Sequence, residues 1–209
     1  ARVLLIGSGE QYDASGPGSP LRRESDPLCP RSPYARSKAA AELLGSLAAE
    51  TGLDVVRVRA FNHTGPGQSD RFVVSDFAHQ LAEIEAGLRS PLMRVGNLAS
   101  ERDFLDVDDV IEAYLRLIDP AVPAGVYNVA SGRGVSIRSV LEILCELAQV
   151  FPTLEADPAR HRVTDRLIGD ASRLYAASGW QPRIPLRTTL QRVLEHWRAQ
   201  VAATQPTAG

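Results

Sequence analysis

The sequence lacks most of the features that would place it quickly. Two cysteines among 209 residues, Cys29 and Cys145, are too few for a disulfide framework, and neither sits in a metal-ligand spacing. A reducing cytoplasm is therefore the expected compartment. Neither sign of charge dominates: 23 Lys and Arg stand against 25 Asp and Glu, a formal charge of -2. That balance offers no general basic surface and excludes nucleic acid as an expected partner. No apolar run reaches the roughly 18 residues of a membrane-spanning helix. No initiator methionine and no basic leader precede "ARVLLIGSGE", which opens inside a hydrophobic strand, so the chain reads as part of something longer. The dinucleotide fingerprint G-x-G-x-x-G is missing too: "GSGEQY" supplies two glycines, but Tyr12 stands at the third position.

What is present is an ordinary globular composition, 44 % hydrophobic and 23 % charged. A chain of this length can bury a good core, as one large domain or a domain with a small lobe. Arg2 to Ile6 form a buried strand, and residues 13–31, rich in Gly, Pro and Ser, form a long surface loop. Ser32 as N-cap, Pro33 at the first helical position and Gly52 just past the end delimit a helix. Its Ala39, Ala40, Ala41 and Ala48 would let another helix approach closely. A strand follows at 54–61, then the "NHTGPGQ" turn and a helix over 73–86 with Phe77, Leu81 and Ile84 on one face. "LMRVG" is a short strand, and "ERDFLDVDDVIEAYLRLID" runs from an extended piece into a helix. "GVYNVAS" is another strand. A helix capped by Ser136 runs to about Gln149, and two more helical pieces lie near 170–178 and 186–200. Alternating strands and helices imply βαβ units and a mostly parallel sheet. Ligands of such sheets sit beyond the carboxyl ends of the strands, where "GSGEQY" and "NHTGPGQ" lie.

The chemistry concentrates in "SPYARSK". Tyr34 and Lys38 are four residues apart and share a helix face. An ammonium beside a phenol, at a helix N-terminus, favours the phenolate and tunes the tyrosine for proton transfer. Taken alone, a tyrosine and lysine at this spacing occur by chance in many helices.

The pattern does not stand alone. "GSGEQY", "SPYARSK", "RAFNHTGPGQ", "FVVSDFAHQLAEIE", "VGNLASERDFLDVDDVIEAY", "GVYNVASGRGVSIRSVL" and "SGWQPRIPL" occur in the order found in the extended short-chain dehydrogenase/reductases that modify nucleotide sugars. The chain resembles that family over nearly all of residues 1–200. It is most similar to the GDP-4-keto-6-deoxymannose reductases and, next, to the GDP-mannose 4,6-dehydratases. The turn "GPGQ", where dehydratases carry "SPRRG"-like residues, favours the reductases.

The resemblance implies an α/β fold: the C-terminal portion of a Rossmann-type parallel sheet with helices, plus a small mixed α/β substrate-binding lobe. Residues 1–68 would carry the Rossmann part, with 69–105 and 131–200 mainly the lobe. Residues 106–130 would return to the sheet, and 201–209 would be a disordered tail. NADP or NAD would be the cofactor and a GDP-linked nucleotide sugar the substrate. A homodimer would form through the Tyr34 helix and the following helix. Tyr34 would exchange a proton with the C4 oxygen, Lys38 would hold the nicotinamide ribose, and Ser8 would hydrogen-bond the sugar carbonyl. Glu10 matches the carboxylate that dehydratases use for water elimination, while Gly9 stands where they carry a hydroxyl. Phe61 and Pro66 would meet the nicotinamide. Asn62, Phe72, Val73, Asn97, Arg102 and Arg160 would bind substrate, the arginines on the diphosphate. Arg102 has an alternative as an ordinary ion-pair partner of Asp106, Asp108 and Asp109. Val163 departs from the family, which has an acidic residue there for the nucleotide ribose. Three readings follow: a reductase, a dehydratase, or a non-catalytic nucleotide-sugar-binding remnant.

Overall fold

The computed structural model describes residues 1–14, 18–157 and 165–204. Along the chain lie β1 (Arg2–Ser8), α1 (Pro33–Glu50), β2 (Asp54–Ala60), β3 (Asn62–Thr64), α2 (Val73–Glu85), β4 (Leu92–Val95) and β5 (Glu101–Asp106). There follow α3 (Val107–Ile118), β6 (Gly125–Val129), β7 (Gly134–Ser136), α4 (Ile137–Ala148), β8 (Thr153–Ala156), β9 (Arg166–Leu167), α5 (Ser172–Ser178) and α6 (Leu186–Thr204). The chain divides into two compact units.

Unit 1 comprises residues 1–63, 101–134 and 165–183. The segments 101–105, 131–134 and 165–183, expected with the substrate lobe, pack here, while 64–68, expected here, belong to unit 2. Its sheet has the order β1-β2-β6 and is parallel throughout, with Arg2 opposite Asp54, Ser8 opposite Ala60, and Ala60 opposite Val129. Side chains alternate across a strand, and the two faces receive different helices. Leu4, Ile6, Val56, Val58 and Ala60 join Val110, Ala113 and Leu117 of α3 and Leu174 of α5 in one apolar core, closed by Tyr127 and Trp180. The other face receives α1. Gly45 makes that contact close, since a Cβ there would stand 2.6 Å from Leu5 Cδ2. A glycine inside a helix costs about 1 kcal/mol relative to alanine, and here it removes the atom that would hold α1 off the sheet. β9 adds a parallel pairing, Glu101 opposite Arg166.

Unit 2 comprises residues 64–100, 135–164 and 184–209. The helices α2, α4 and α6 pack against one another around buried Phe77, Leu81, Leu144, Leu190 and Leu194. β4 and β8 form a two-stranded parallel ribbon with Leu92 opposite Thr153. Ser136 caps α4 by accepting from Ser139 N at 3.0 Å, as its position suggests. One expectation fails in this unit: Val201 to Thr204 continue α6 and are not a disordered tail.

Candidate active site

β1 ends on Ser8, which is buried. Its Oγ accepts from Glu10 N at 3.2 Å and its N–H donates to Gln11 Oε1 at 2.8 Å, forming a capping box around a single 3-10 turn, Gly9–Gln11. The hydroxyl proton of Ser8 is left to donate elsewhere. Gly7 is required by this turn, because a Cβ there would lie 2.5 Å from Gln11 Oε1 and 2.6 Å from Val58 O. Glu10 is exposed. Gly9 lies against Phe61, where an added Cβ would meet ring atoms at 3.0 Å.

Across the turn, α1 begins as its sequence dictates: Ser32 Oγ accepts from Ala35 N at 3.0 Å, with Pro33 at the first helical position. Tyr34 is 51 % exposed, so its phenol is free to meet a ligand. Lys38 Nζ lies 5.8 Å from the centroid of the Tyr34 ring and donates to Ile6 O at 3.1 Å. The ammonium is therefore fixed between the phenol and the end of β1, two residues before Ser8. Tyr114 on α3 carries no motif and escapes sequence reasoning. Burial pushes its phenol up to about 12, and Tyr34 adds to that rise. Tyr114 thus stays protonated and is electrostatically coupled to Tyr34.

The remaining candidates of unit 1 fare differently. Phe61 is 3 % exposed and its ring stacks on Tyr12 at 6.1 Å, so its side chain is packed into the unit's interior. Asn62 is exposed on β3. Arg102 does form an ion pair, but with Asp165 at 2.6 Å, and it also donates to the carbonyls of Glu101 and Asp165. The expected aspartates serve elsewhere. Asp106 caps α3 by accepting from Asp108 N at 2.9 Å, and buried Asp109 accepts from Arg183 N at 3.1 Å. A cleft of about 380 Å³ in this unit, lined by Ala130 to Gly132, Asp170 and Tyr175, includes none of Ser8, Tyr34 and Lys38.

In unit 2, Pro66 and Gly67 occupy a turn in which Gln68 N donates to Gly65 O and Gly67 takes φ +84°. Phe72 precedes α2 with its ring largely exposed, Val73 is half-buried, and Asn97 Oδ1 accepts from Ala99 N at 2.9 Å. Arg160 and Val163 lie outside the described residues. Among the described residues no cluster of His, Cys, Asp and Glu could hold a metal ion, and no helix is long and apolar enough to cross a membrane.

A sequence model described as GDP-mannose 4,6 dehydratase matches residues 1–193. The chain belongs to this family. Among its relatives is the GDP-6-deoxy-D-mannose reductase of Pseudomonas aeruginosa, 40 % identical over 205 residues, which cover 95 % of this chain and 66 % of the reductase. The structure of RMD from Pseudomonas aeruginosa complexed with NADPH superposes with a TM-score of 0.87 at 39 % identity, over 94 % of this chain and 66 % of that one. UDP-glucose 4-epimerase of Thermus thermophilus, complexed with NAD, gives a TM-score of 0.81 at 30 % identity, over 94 % and 64 %. The chain thus spans slightly less than two thirds of the length of these relatives. Their folds bear out the expected Rossmann-type α/β class.

Proposed function

We propose that the protein is a nucleotide-sugar reductase that uses NADPH or NADH to reduce the 4-keto group of a GDP-4-keto-6-deoxyhexose. The observation that carries this reading is the Lys38 ammonium, held 5.8 Å from the Tyr34 ring and hydrogen-bonded to β1 two residues before Ser8. The likeness to a GDP-6-deoxy-D-mannose reductase supports the substrate class. The residues present fit the nicotinamide end of the cofactor: a half-exposed phenol and a fixed ammonium at the carboxyl end of a parallel sheet. When bound, the nicotinamide supplies hydride to C4. Tyr34 donates its phenolic proton to the C4 oxygen, so that hydride and proton together yield the alcohol. Ser8 donates its free hydroxyl proton as a hydrogen bond to the same oxygen and polarises the carbonyl. Lys38 stabilises the phenolate that proton transfer leaves, and reaches the ribose hydroxyls. Arg102 offers its guanidinium to the diphosphate on exchange of its Asp165 partner for phosphate oxygens.

The packing of Gly9 supports reduction over dehydration. A hydroxyl residue at that position would have to push into the Phe61 ring, which a Cβ alone meets at 3.0 Å. Glu10 then remains a solvent-exposed carboxylate. The apolar stripe of Leu43, Leu44 and Leu47 on α1, at least half exposed, supports a homodimer formed through this helix. The expected second helix, α2, contributes little, because its Phe77, Ala78 and Leu81 are buried within unit 2. Free thiols at Cys29 and Cys145 suit the cytoplasm. Incubating the full-length protein with GDP-mannose and with its 4-keto-6-deoxy derivative tests the proposal. NAD(P)H oxidation with the keto sugar is expected. Water loss from GDP-mannose would make it a dehydratase, and binding of both without turnover would make it a non-catalytic relative.

A further inference from the structure

Beneath the Ser8 turn lies a buried ion pair that the motifs do not announce. Glu42 and Arg59 are 7 % and 5 % exposed and meet bidentately, Nη2 to Oε1 at 2.6 Å and Nε to Oε2 at 3.0 Å. Glu42 stands one turn beyond Lys38 and two beyond Tyr34, on the same face of α1. Its Oε2 also accepts from Gln11 Nε2 at 2.7 Å, and the other end of that amide accepts from Ser8 N. Gln11 is fully buried, so both its hydrogen bonds are made out of water. Arg59 Nη1 donates to Tyr12 Oη at 2.6 Å and to Glu24 O, and Tyr12 Oη donates to Asn128 Oδ1 at 2.9 Å on β6. The network therefore joins β2, α1, the Ser8 turn and β6.

Its role is poorly explained by stability alone. Buried ion pairs are often no more stabilising than well-packed apolar residues of the same volume. Here the pair is directional: Arg59 fixes the Glu42 carboxylate, whose Oε2 holds the Gln11 amide that in turn accepts from Ser8 N, tying the turn to the helix that presents Tyr34 and Lys38. Building on the reductase reading, we propose that Gln11, with Glu42 and Arg59 behind it, is a positioning residue that sets the spacing of Ser8 from Tyr34 and Lys38. Without the amide, the Ser8 N–H is buried and unpaired, the turn relaxes, and the two hydroxyls no longer converge on one carbonyl oxygen. A misplacement of about 1 Å can cost on the order of 100-fold in rate.

The test is a double-mutant cycle in the full-length protein. Gln11→Leu is expected to lower kcat for keto-sugar reduction by about 10- to 100-fold, with KM for the nucleotide sugar within about twofold. In a Ser8→Ala background the same substitution should cost less than about threefold, because Gln11 acts through Ser8. Amide exchange read by NMR should show the Ser8 N–H exchanging faster in Gln11→Leu while the amides of α4 keep their protection. Gln11→Met, similar in length and unable to bridge, replaces Leu where folding is disturbed. Equal losses in both backgrounds, or an unchanged Ser8 amide, would overturn the proposal. A wild-type enzyme without turnover would sink the reductase reading instead, and the exchange arm would still decide whether Gln11 fixes the turn.

Discussion

The interiors of the two units are built on different principles. Unit 1 buries Arg59, Glu42, Asp103, Asp106 and Asp109 together with Gln11 and Asn128. Among the described residues, the buried polar residues of unit 2 are Thr64, Ser75, Gln80, Ser100 and Thr189, none of them charged. Ion pairs and multiply bonded carboxylates fix direction, whereas apolar packing mainly fills volume. Asp103 shows the difference: one carboxylate accepts from Ser131 N and Oγ and from the N–H groups of Gly132 and Gly169, gathering two loops at once. Among the described residues, the unit that carries Ser8, Tyr34 and Lys38 is the one with charged side chains in its interior.

The largest effect belongs to the site itself. Tyr34→Phe should reduce keto-sugar turnover by about 100- to 10,000-fold while GDP binding, followed by calorimetry, stays nearly intact. Unchanged turnover would remove Tyr34 from the chemistry. Next, Arg59→Met leaves the buried Glu42 carboxylate without its counter-charge and should cost about 3–5 kcal/mol in urea unfolding. The double variant Arg59→Met/Glu42→Leu should recover most of that stability, and a single variant near wild type would break the contrast between the units.

Acid titration sharpens the same contrast. Burial alone would raise the Glu42 carboxyl, but the Arg59 hydrogen bonds and charge hold it below its ordinary value. A depressed folded-state value gives stability that is complete above the ordinary glutamate range and disappears as pH falls through the lowered value. Glu42→Gln should therefore flatten the acid limb of the stability profile. Asp103 works in the opposite sense: burial raises it against its four hydrogen bonds, so its contribution is present at low pH and lost as pH rises through the raised value. Loosening Arg102 should have a smaller effect. Asp165→Asn removes the anion that holds it, and should tighten GDP binding about fivefold, equivalent to ~1 kcal/mol. The smallest expected change concerns α1. If the proposed homodimer forms through α1, Leu44→Glu should shift sedimentation from dimer to monomer with little loss of protomer stability; a monomeric wild type would remove the dimer, and an unchanged dimer would place the interface elsewhere.

The regular elements of both units were legible because their signals are local. Ser32 and Ser136 cap helices where their positions suggest, and β1, β2 and β6 are apolar runs of the expected kind. The short strands β3, β7, β8 and β9 escaped notice: two to four residues carry no period, and β9 finds its partner some sixty positions away. The pairing of Arg102 with Asp165 escaped for the same reason. In "DVVRVRAF" the valines and arginines alternate, and the structure turns Val56 and Val58 to the α3 core. The pattern cannot reveal that Arg59 points into a second interior, because its partner Glu42 sits amid alanines and exposed leucines on a helix of weak amphipathicity.

The contact between Gly9 and the Phe61 aromatic ring links two positions that motif matching treats as independent. Adding a side chain at the first requires the second to give way by a few tenths of an ångström, so the room at each position depends on the other. Conversion of this scaffold to chemistry that needs a hydroxyl beside Glu10 would therefore be eased by a smaller side chain in place of Phe61.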